Sequence, residues 1–546
     1  MTPRVSTRKT RVTAGRAARA ADDQRIAAID IGSNSIRQIV ADVSPTGAIR
    51  VVDEMKAAPR LGAGVEETGE LSETSMQSAV EALGRMAVLA KQLGCSRIEA
   101  VATSAVRDAS NGATFLGLVR RHTGLRVRLL DGREEARLSF MSALAHFELG
   151  SGRVVVMDIG GGSLELALAA EGIVERLFSL PFGAIRMTEQ FLRGSGGRRN
   201  VRKLRRVVRD EIRDSVPLRD WRGAQCIGSG GTFTNLASML VARQGTATAR
   251  TVHGTLVSRV DLEHLLDLLQ DMTPAERLGV PGLSPARADI IVAGLAVAAE
   301  TMARLDSRDL QVSAFGIREG LLLETARVTP SIADPGEARQ RSMLEFAQRC
   351  HYEEPHAHAV RDLALQLFDQ IGARLGCQPE ERSLLADAAL LHDVGYHINY
   401  DKHHKHSYHL ILHATLLGLS PDDQVVVANV ARYHRGAPPK KSHRNFSALP
   451  KPLRRRITRL SALLRLADGL DRGHVGAVAG VKTRWGSKSL RVTVIAREGA
   501  GPLRLELWGA SRKSELLSQE AGVPVELVAP DGEVLRYSDE IVSDAD

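Results

Sequence analysis

The hexapeptide DIGSNS at Asp30–Ser35 recurs as DIGGGS at Asp158–Ser163, 128 residues later. Each copy closes an apolar strand, IAAIDI or VVVMDI, and opens a second one, RQIVADV or ELALAA. A strand–turn–strand piece repeated at that distance implies two related half-domains. Set face to face, they would bring both turns to one cleft. Around each copy the pattern alternates. IRVVDEM near residues 49–55 reads as a strand, residues 75–93 as an amphipathic helix, and IEAVAT as a strand. A helix over 114–121, the strand VRLL and a helix from about Arg133 follow. Strands alternating with helices predict an α/β sheet.

From about residue 340 the pattern changes to helices rich in Leu, Ala and His. Twelve of the 17 histidines lie between His351 and His443. From about 480 it is strand-like again, in LRVTVIA, LRLELWG and PVELVAP. The expected division is therefore a basic arm (1–25), first half-domain (26–132), second half-domain (133–325), linker with two prolines and a glycine (326–340), helical domain (341–479) and a small β-rich part (480–546). The longest apolar run, Ile290 to Ala299, is half the length that spans a bilayer. No secretory signal is evident at the N-terminus. The cysteines, Cys95, Cys226, Cys350 and Cys377, have no paired spacing. Expected are a cytoplasmic protein without a membrane span, and reduced thiols.

The net charge of +9 is segregated. Residues 1–25 carry seven Arg/Lys against two acids, while 193–209 and 440–459 each carry eight and no acid. Such clusters read either as solvated helix faces and a loose tail, or as a polyanion footprint. Aromatics are 4% of the chain and do not interleave the basic runs, so base-stacking platforms, and with them nucleic acid, are not expected.

An aspartate ending a strand before Gly, Ser and Asn has a chemical use. Glycines let the backbone turn its N–H groups onto an anion at close range. Ser35 and Ser163 add hydroxyl donors, and Asp30 and Asp158 can hold a divalent ion. A single copy is equally a tight β-hairpin; two at matched positions favour a phosphate site. A third glycine cluster, GSGGT at 228–232, would join them.

The paired turns resemble the actin, hexokinase and Hsp70 superfamily. With ATSAVRDASNG (102–112), DGREEARLSF (131–140), DIGGGSLEL, GSGGTFTNLA and SAFGIREGLL (313–322), the chain closely resembles the exopolyphosphatase/guanosine pentaphosphatase family over residues 26–325. LLHDVG and HHKHS resemble the HD-type module of its longer members. The implied fold is α/β: two duplicated actin-like (ribonuclease H-like) half-domains around a cleft, then an all-α HD-type domain and the small β-rich part. The implied activity is release of orthophosphate from the end of inorganic polyphosphate with Mg2+. Guanosine pentaphosphate hydrolysis is the near alternative; a catalytically decayed polyphosphate or nucleotide sensor is another. A sugar kinase, a chaperone ATPase or a DNA-binding protein fits the motifs less well.

The resemblance assigns the catalytic base to Glu134, with Glu135 structural; composition alone reads both as acids suiting a helix N-terminus. It turns Arg107 toward the phosphate chain, where a planar guanidinium donates two hydrogen bonds. Gly32, Ser33, Asn34, Ser35, Gly160, Gly161, Gly162, Ser163, Gly230, Gly231 and Thr232 would bind phosphate. Asp158 and Glu165, with Asp30, would hold Mg2+, although Glu165 also reads as a cross-strand partner. Arg318 and Glu319 are expected to pair with each other. Basic residues such as Arg198, Arg199, Arg205 and Arg206 would form a track for the polyanion. In the helical domain His356, His392, Asp393 and Asp468 match an HD-type metal set, extendable by His403, His404, His406 and His434. Imidazole plus carboxylate suits manganese, iron or zinc. The resemblance also makes a homodimer an expectation.

Overall fold

The computed structural model describes residues 23–45, 47–147, 149, 152–193, 197–217, 221–243, 251–328, 335–414, 416 and 418–536. Residues 1–22 of the expected arm, 329–334 of the expected linker and 537–546 lie outside them. The chain divides into two compact units, one taking 1–145 and 317–330, the other 146–316 and 331–546.

In the first unit β1 (Gln24–Ile31), β2 (Ile36–Val43), β3 (Ile49–Ala57), β4 (Arg97–Ala102) and β5 (Val127–Leu129) form a sheet ordered β3-β2-β1-β4-β5. The first three strands are antiparallel, as short turns allow. β4 and β5 add in parallel, each after a helical crossover. Leu83 and Met86 of the Glu73–Gln92 helix, with Phe115 and Val119 of Gly112–Thr123, cover one face. Leu138 of the Gly132–His146 helix and Leu321, Leu322 and Leu323 of Ile317–Ala326 cover the other. The boundaries expected at 132/133 and 325 therefore shift. A mixed sheet must bury both faces, and the second face of this one is closed by a helix from each side of the other half.

In the second unit β6 (Arg153–Ile159), β7 (Leu164–Ala170), β8 (Ile173–Leu180), β9 (Gln225–Ser229), β10 (Leu256–Ser258) and β11 (Asp309–Val312) are ordered β10-β11-β9-β6-β7-β8. Read from β8 to β11, this repeats the first sheet strand for strand and direction for direction, with β10 added at the edge. The long apolar run falls in the Ile291–Arg304 helix, buried in this lobe's core. No described helix is long and apolar enough to cross a membrane. All four cysteines are free.

The first long basic run becomes the Gly197–Ser215 helix, which buries Val201, Leu204, Val208 and Ile212 at three- and four-residue spacing. Its cations divide into two kinds. Arg205 donates to Glu300 (2.6 Å) and to Glu263 (2.8 Å), Arg209 donates to Glu300 (2.9 Å), and Arg198 pairs with Asp271. Of the expected track, then, Arg198 and Arg205 are engaged in the fold. Arg199, Arg202, Lys203 and Arg206 stand exposed with no ion pair among the described residues.

The rest of the second unit is helical from Pro335–Arg349 to Lys451–Gly469, followed by β12 (Val478–Trp485), β13 (Leu490–Ala496), β14 (Val525–Val528) and β15 (Val534–Arg536). LRLELWG is not a strand: it lies in the Arg504–Lys513 helix and its approach. Leu503, Leu507 and Ala510 are buried at helical spacing, and Leu505 and Trp508 face solvent. Nor is this part a separate appendage. Val492 and Leu527 share one core with Leu363 and Leu463 of the helical body.

Two outcomes follow from this packing. A Cβ on Gly320 would stand 2.1 Å from the Leu138 carbonyl oxygen, so Gly320→Ala should destabilise the protein by roughly 1–3 kcal/mol in urea unfolding; an unchanged midpoint would refute the close approach. Burial would raise the Glu300 carboxyl, but hydrogen bonds from Arg209 and Arg205 hold it below its ordinary value. That stability is present above the unfolded value and fades as pH falls through the lower folded one. Arg205→Gln with Arg209→Gln should therefore lose roughly 1–3 kcal/mol at neutral pH, less than for a fully buried pair because both arginines are part-exposed. The gap from wild type should narrow in acid melts.

Candidate functional site

The two turns of the repeat are built alike. Gly32 N–H donates to Ser35 O (3.2 Å) and Gly160 N–H to Ser163 O (3.0 Å), so each loop is closed by one backbone bond across its mouth. In the first unit the turn leaves Ser33, Asn34 and Ser35 buried. Ser33 Oγ meets Ser104 Oγ at 3.1 Å, and Gly62 N–H donates to Ser33 O at 2.8 Å. Asn34 Oδ1 is buried with no hydrogen-bond partner among the described residues, a demand that a ligand or water meets. Asp30 stands opposite Arg37 in the β1–β2 register. Arg37 is held below its usual value, first by burial and then by Arg318. Arg318 meets Glu319 at 3.5 Å as expected, and also Glu54 at 2.9 Å.

Ser104 begins the short helix Ser104–Asp108, which carries Arg107. Arg107 Nη1 donates to the Leu130 carbonyl at 2.8 Å and to Glu135 Oε1 at 2.5 Å. Glu135 is 3% exposed. Its neighbour is placed otherwise. Glu134 N–H donates to Asp131 Oδ1 (2.8 Å), Asp131 N–H donates back to Glu134 Oε2 (2.9 Å), and Arg128 pairs with Glu134 Oε1 (3.1 Å). That reciprocal pair is a capping box at the start of the Gly132–His146 helix. Glu134 thus has the structural surroundings expected for Glu135, and Glu135 has those expected for Glu134. Adjacent helix positions differ by about 100° in direction, so only one of two neighbouring acids can face Arg107.

In the second unit the offset of the repeat carries Arg37 onto Glu165, which stands opposite Asp158 in the β6–β7 register. Both acids are buried, and Glu165 Oε1 accepts from Ser179 Oγ on β8 (2.9 Å), so it is a cross-strand partner as well. Like charges directly opposed on a sheet repel; a divalent cation removes that penalty, and an all-oxygen pair suits Mg2+. The third glycine cluster closes on the same aspartate. Gly230, at φ +91°, would place a Cβ 2.5 Å from Asp158 Oδ1, and one on Gly316 would lie 2.9 Å from Ser229 Oγ. Thr232 Oγ1 is buried without a partner among the described residues. The Ala184–Phe191 helix packs its first N–H groups on the loop, Ala184 to Gly160 O and Ile185 to Gly161 O. This structure therefore brings Asp158, Glu165, Gly160, Gly161, Gly162, Ser163, Gly230, Gly231 and Thr232 together in one unit; Asp30, Arg107 and Glu134 belong to the other.

The helical body gathers a second set. His356, His392 and Asp393 form one group able to hold a metal ion, and Asp393, His403 and His434 another, all buried. Asp468 Oδ1 lies 3.7 Å from His356 Nε2. His404 packs edge-on to His403 with its ring centroid 5.9 Å away, and His406 is in neither group. Burial pushes the His392 and His434 imidazoles below their usual values. Sequence reasoning missed Ser104, Asp471, which accepts from His356 Nδ1 (2.9 Å), and Lys513, which pairs with Asp468 from the Arg504–Lys513 helix. Nothing in the local sequence marks a lysine 45 residues beyond its aspartate.

Residues 39–328 match the Ppx/GppA phosphatase family, and residues 338–496 match that family's domain III. The chain is 32% identical to "Exopolyphosphatase 1" of Mycobacterium leprae, over 57% of this chain and 94% of that protein. It is 27% identical to "Guanosine-5'-triphosphate,3'-diphosphate pyrophosphatase" of Pseudoalteromonas atlantica, over 76% of this chain and 80% of that protein. The crystal structure of an exopolyphosphatase from Cytophaga hutchinsonii matches 57% of this chain and all of its own, at 26% identity and a TM-score of 0.52.

Proposed function

Since this chain belongs to the Ppx/GppA phosphatase family, we propose that it releases orthophosphate from the end of inorganic polyphosphate and that Glu135, rather than Glu134, is its catalytic base. The observation that carries the residue assignment is the pair of part-exposed Arg107 with buried Glu135, tied through Ser104 and Ser33 to the first phosphate loop. Arg107 binds oxygens of the terminal phosphoryl group and holds it for in-line attack. Glu135 takes the proton of the attacking water. The water oxygen bonds to phosphorus, the bridging P–O bond breaks, and a chain shorter by one phosphate leaves. Within each unit the glycine, serine and threonine donors of its own loop serve as phosphate-binding groups. Asp158 and Glu165 would hold Mg2+, which when bound neutralises phosphate charge.

The basic helix supports the substrate class. Its exposed cations, Arg199, Arg202, Lys203 and Arg206, suit a chain carrying about one charge per phosphate, held the more weakly the higher the salt. Guanosine pentaphosphate hydrolysis is the second reading, favoured by the longer match to the Pseudoalteromonas protein, which extends into the helical body. The helical body is read as an HD-type domain in which His356, His392, Asp393 and Asp468 hold a transition metal. Action in the cytoplasm, as a homodimer, accords with the free cysteines and with the resemblance set out above.

The test is orthophosphate release from long-chain polyphosphate, guanosine pentaphosphate and ATP. Glu135→Gln should lower kcat by about 10²–10⁴ with KM little changed, while Glu134→Gln should lose about tenfold or less. Equal losses would return the base to Glu134, and no release from any of the three by wild type would leave the sensor reading. Asp158→Asn with Glu165→Gln should abolish stimulation by Mg2+. Replacing Arg199, Arg202, Lys203 and Arg206 with Gln should raise KM for long chains far more than for short ones; equal shifts would remove the track.

A further inference from the structure

Asp158 ends β6 with a sheet neighbour on each side of it. On antiparallel β7 that neighbour is Glu165, and on parallel β9 it is Ser229. The first repeat sets Asp30 between Arg37 on β2 and Val101 on β4. The aspartate opposite a cation thus has an apolar residue on its other flank, and the aspartate opposite a second acid has a hydroxyl. That hydroxyl is a feature of the acid–acid copy, not a requirement of the turn.

Ser229 is buried, and its Oγ lies 3.3 Å from Asp158 Oδ2 and 2.9 Å from the Phe315 carbonyl oxygen. A carboxylate and a carbonyl only accept, and a serine hydroxyl has one proton to give. The carbonyl has a second donor. Ser313 Oγ, also buried, donates to Phe315 O at 2.8 Å and accepts from Phe315 N–H at 3.1 Å. With Ser313 serving the carbonyl, the Ser229 proton is left for the carboxylate, where a charge-assisted bond is the stronger one. Phe315 is fixed in turn. Its ring stacks on His146 at 4.0 Å and meets His253 edge-on at 4.8 Å. Burial pushes the His253 imidazole down to about 3, so that ring is uncharged at neutral pH. Gly316 leaves the hydroxyl its room: a Cβ there would stand 2.9 Å from Ser229 Oγ and 3.6 Å from Asp158 Oδ2.

We propose that Ser229 is a positioning residue for the divalent cation of this unit: its hydroxyl pins Asp158 Oδ2, and Ser313 keeps that proton on the aspartate by holding the Phe315 carbonyl. This rests on the reading that Asp158 and Glu165 bind Mg2+. The last torsion of an aspartate is broad, and repulsion from the opposed Glu165 favours turning the Asp158 carboxylate away. A donor on the far flank holds it in place against that repulsion. The two acids then stand side by side beforehand, and ordering them costs the cation less.

The test counts Mn2+, which like Mg2+ suits carboxylate oxygen, bound to the full chain by loss of the free-ion electron paramagnetic resonance signal. The ion of this site is the one that Asp158→Asn with Glu165→Gln removes. Ser229→Ala should weaken that ion about tenfold. It should raise the Mg2+ half-saturation of orthophosphate release by the same factor, with KM for polyphosphate at saturating Mg2+ little changed. Ser313 has no hydrogen bond to either acid among the described residues, yet Ser313→Ala should weaken the ion too, because the Ser229 proton passes to the Phe315 carbonyl. The losses should not add: introduced into the Ser229→Ala protein, Ser313→Ala should change Mn2+ affinity by less than about twofold. Unchanged affinity in Ser229→Ala, or a rise in polyphosphate KM equal to that in Mg2+ half-saturation, would overturn the positioning role. Additive losses, or no effect of Ser313→Ala alone, would overturn the shared proton. If Asp158→Asn with Glu165→Gln removes no ion, the metal reading itself fails. Thermal melts of each metal-free variant separate misfolding from ligand loss.

Discussion

One backbone hydrogen bond at the mouth of each repeated turn, from the glycine that follows the strand to the serine three residues on, sets the geometry of both candidate phosphate loops. It forces the chain to reverse within four residues, which puts the aspartate ending one strand directly opposite the second residue of the next. In one copy that opposite residue is Arg37; in the other it is Glu165. The same turn therefore pairs an acid with a base in the first unit and two acids in the second. Identical backbones carry different charges, and the acid–acid copy sets two carboxylates side by side, a donor pair that suits a hard divalent cation.

The sheets explain why such a turn can be trusted to hold its place. β1 and β6 are central in their sheets, paired antiparallel on one side and parallel on the other. The aspartates thus end strands held from both edges, in a position no local unfolding moves cheaply. Around the second aspartate the close approach of Gly230 and Gly316 leaves no room for side chains. Those glycines are there because backbone must reach the carboxylate, not for flexibility.

Much of this was legible in the chain. The offset repeat announced two sheets of one design, and strand-ending aspartates announced the loops. The helical histidine-rich body was visible in composition, and His356, His392, Asp393 and Asp468 do meet. Other features were not. LRLELWG alternates like a strand, yet Leu503, Leu507 and Ala510 bury at helical spacing because the adjoining helical body offers a surface for one stripe. The basic helix looked like one uniform run of charge, but Glu300 and Glu263, from distant helices, take Arg205 and Arg209 out of it. Lys513 carried no local sign of its aspartate.

What the amino-acid order settled by itself was the repeated topology, the loops and the ligand types, because periodicity and turn chemistry act over a few residues. Which helices close the first sheet, which of Glu134 and Glu135 turns toward Arg107, and which cations remain free were decided only in three dimensions. Each depends on a partner dozens to hundreds of residues away: Leu321–Leu323 against β1 and β2, Arg107 against a helix one strand later, Glu300 against the basic helix. Neighbouring positions on a helix are chemically alike in sequence and are told apart only by what packs against them.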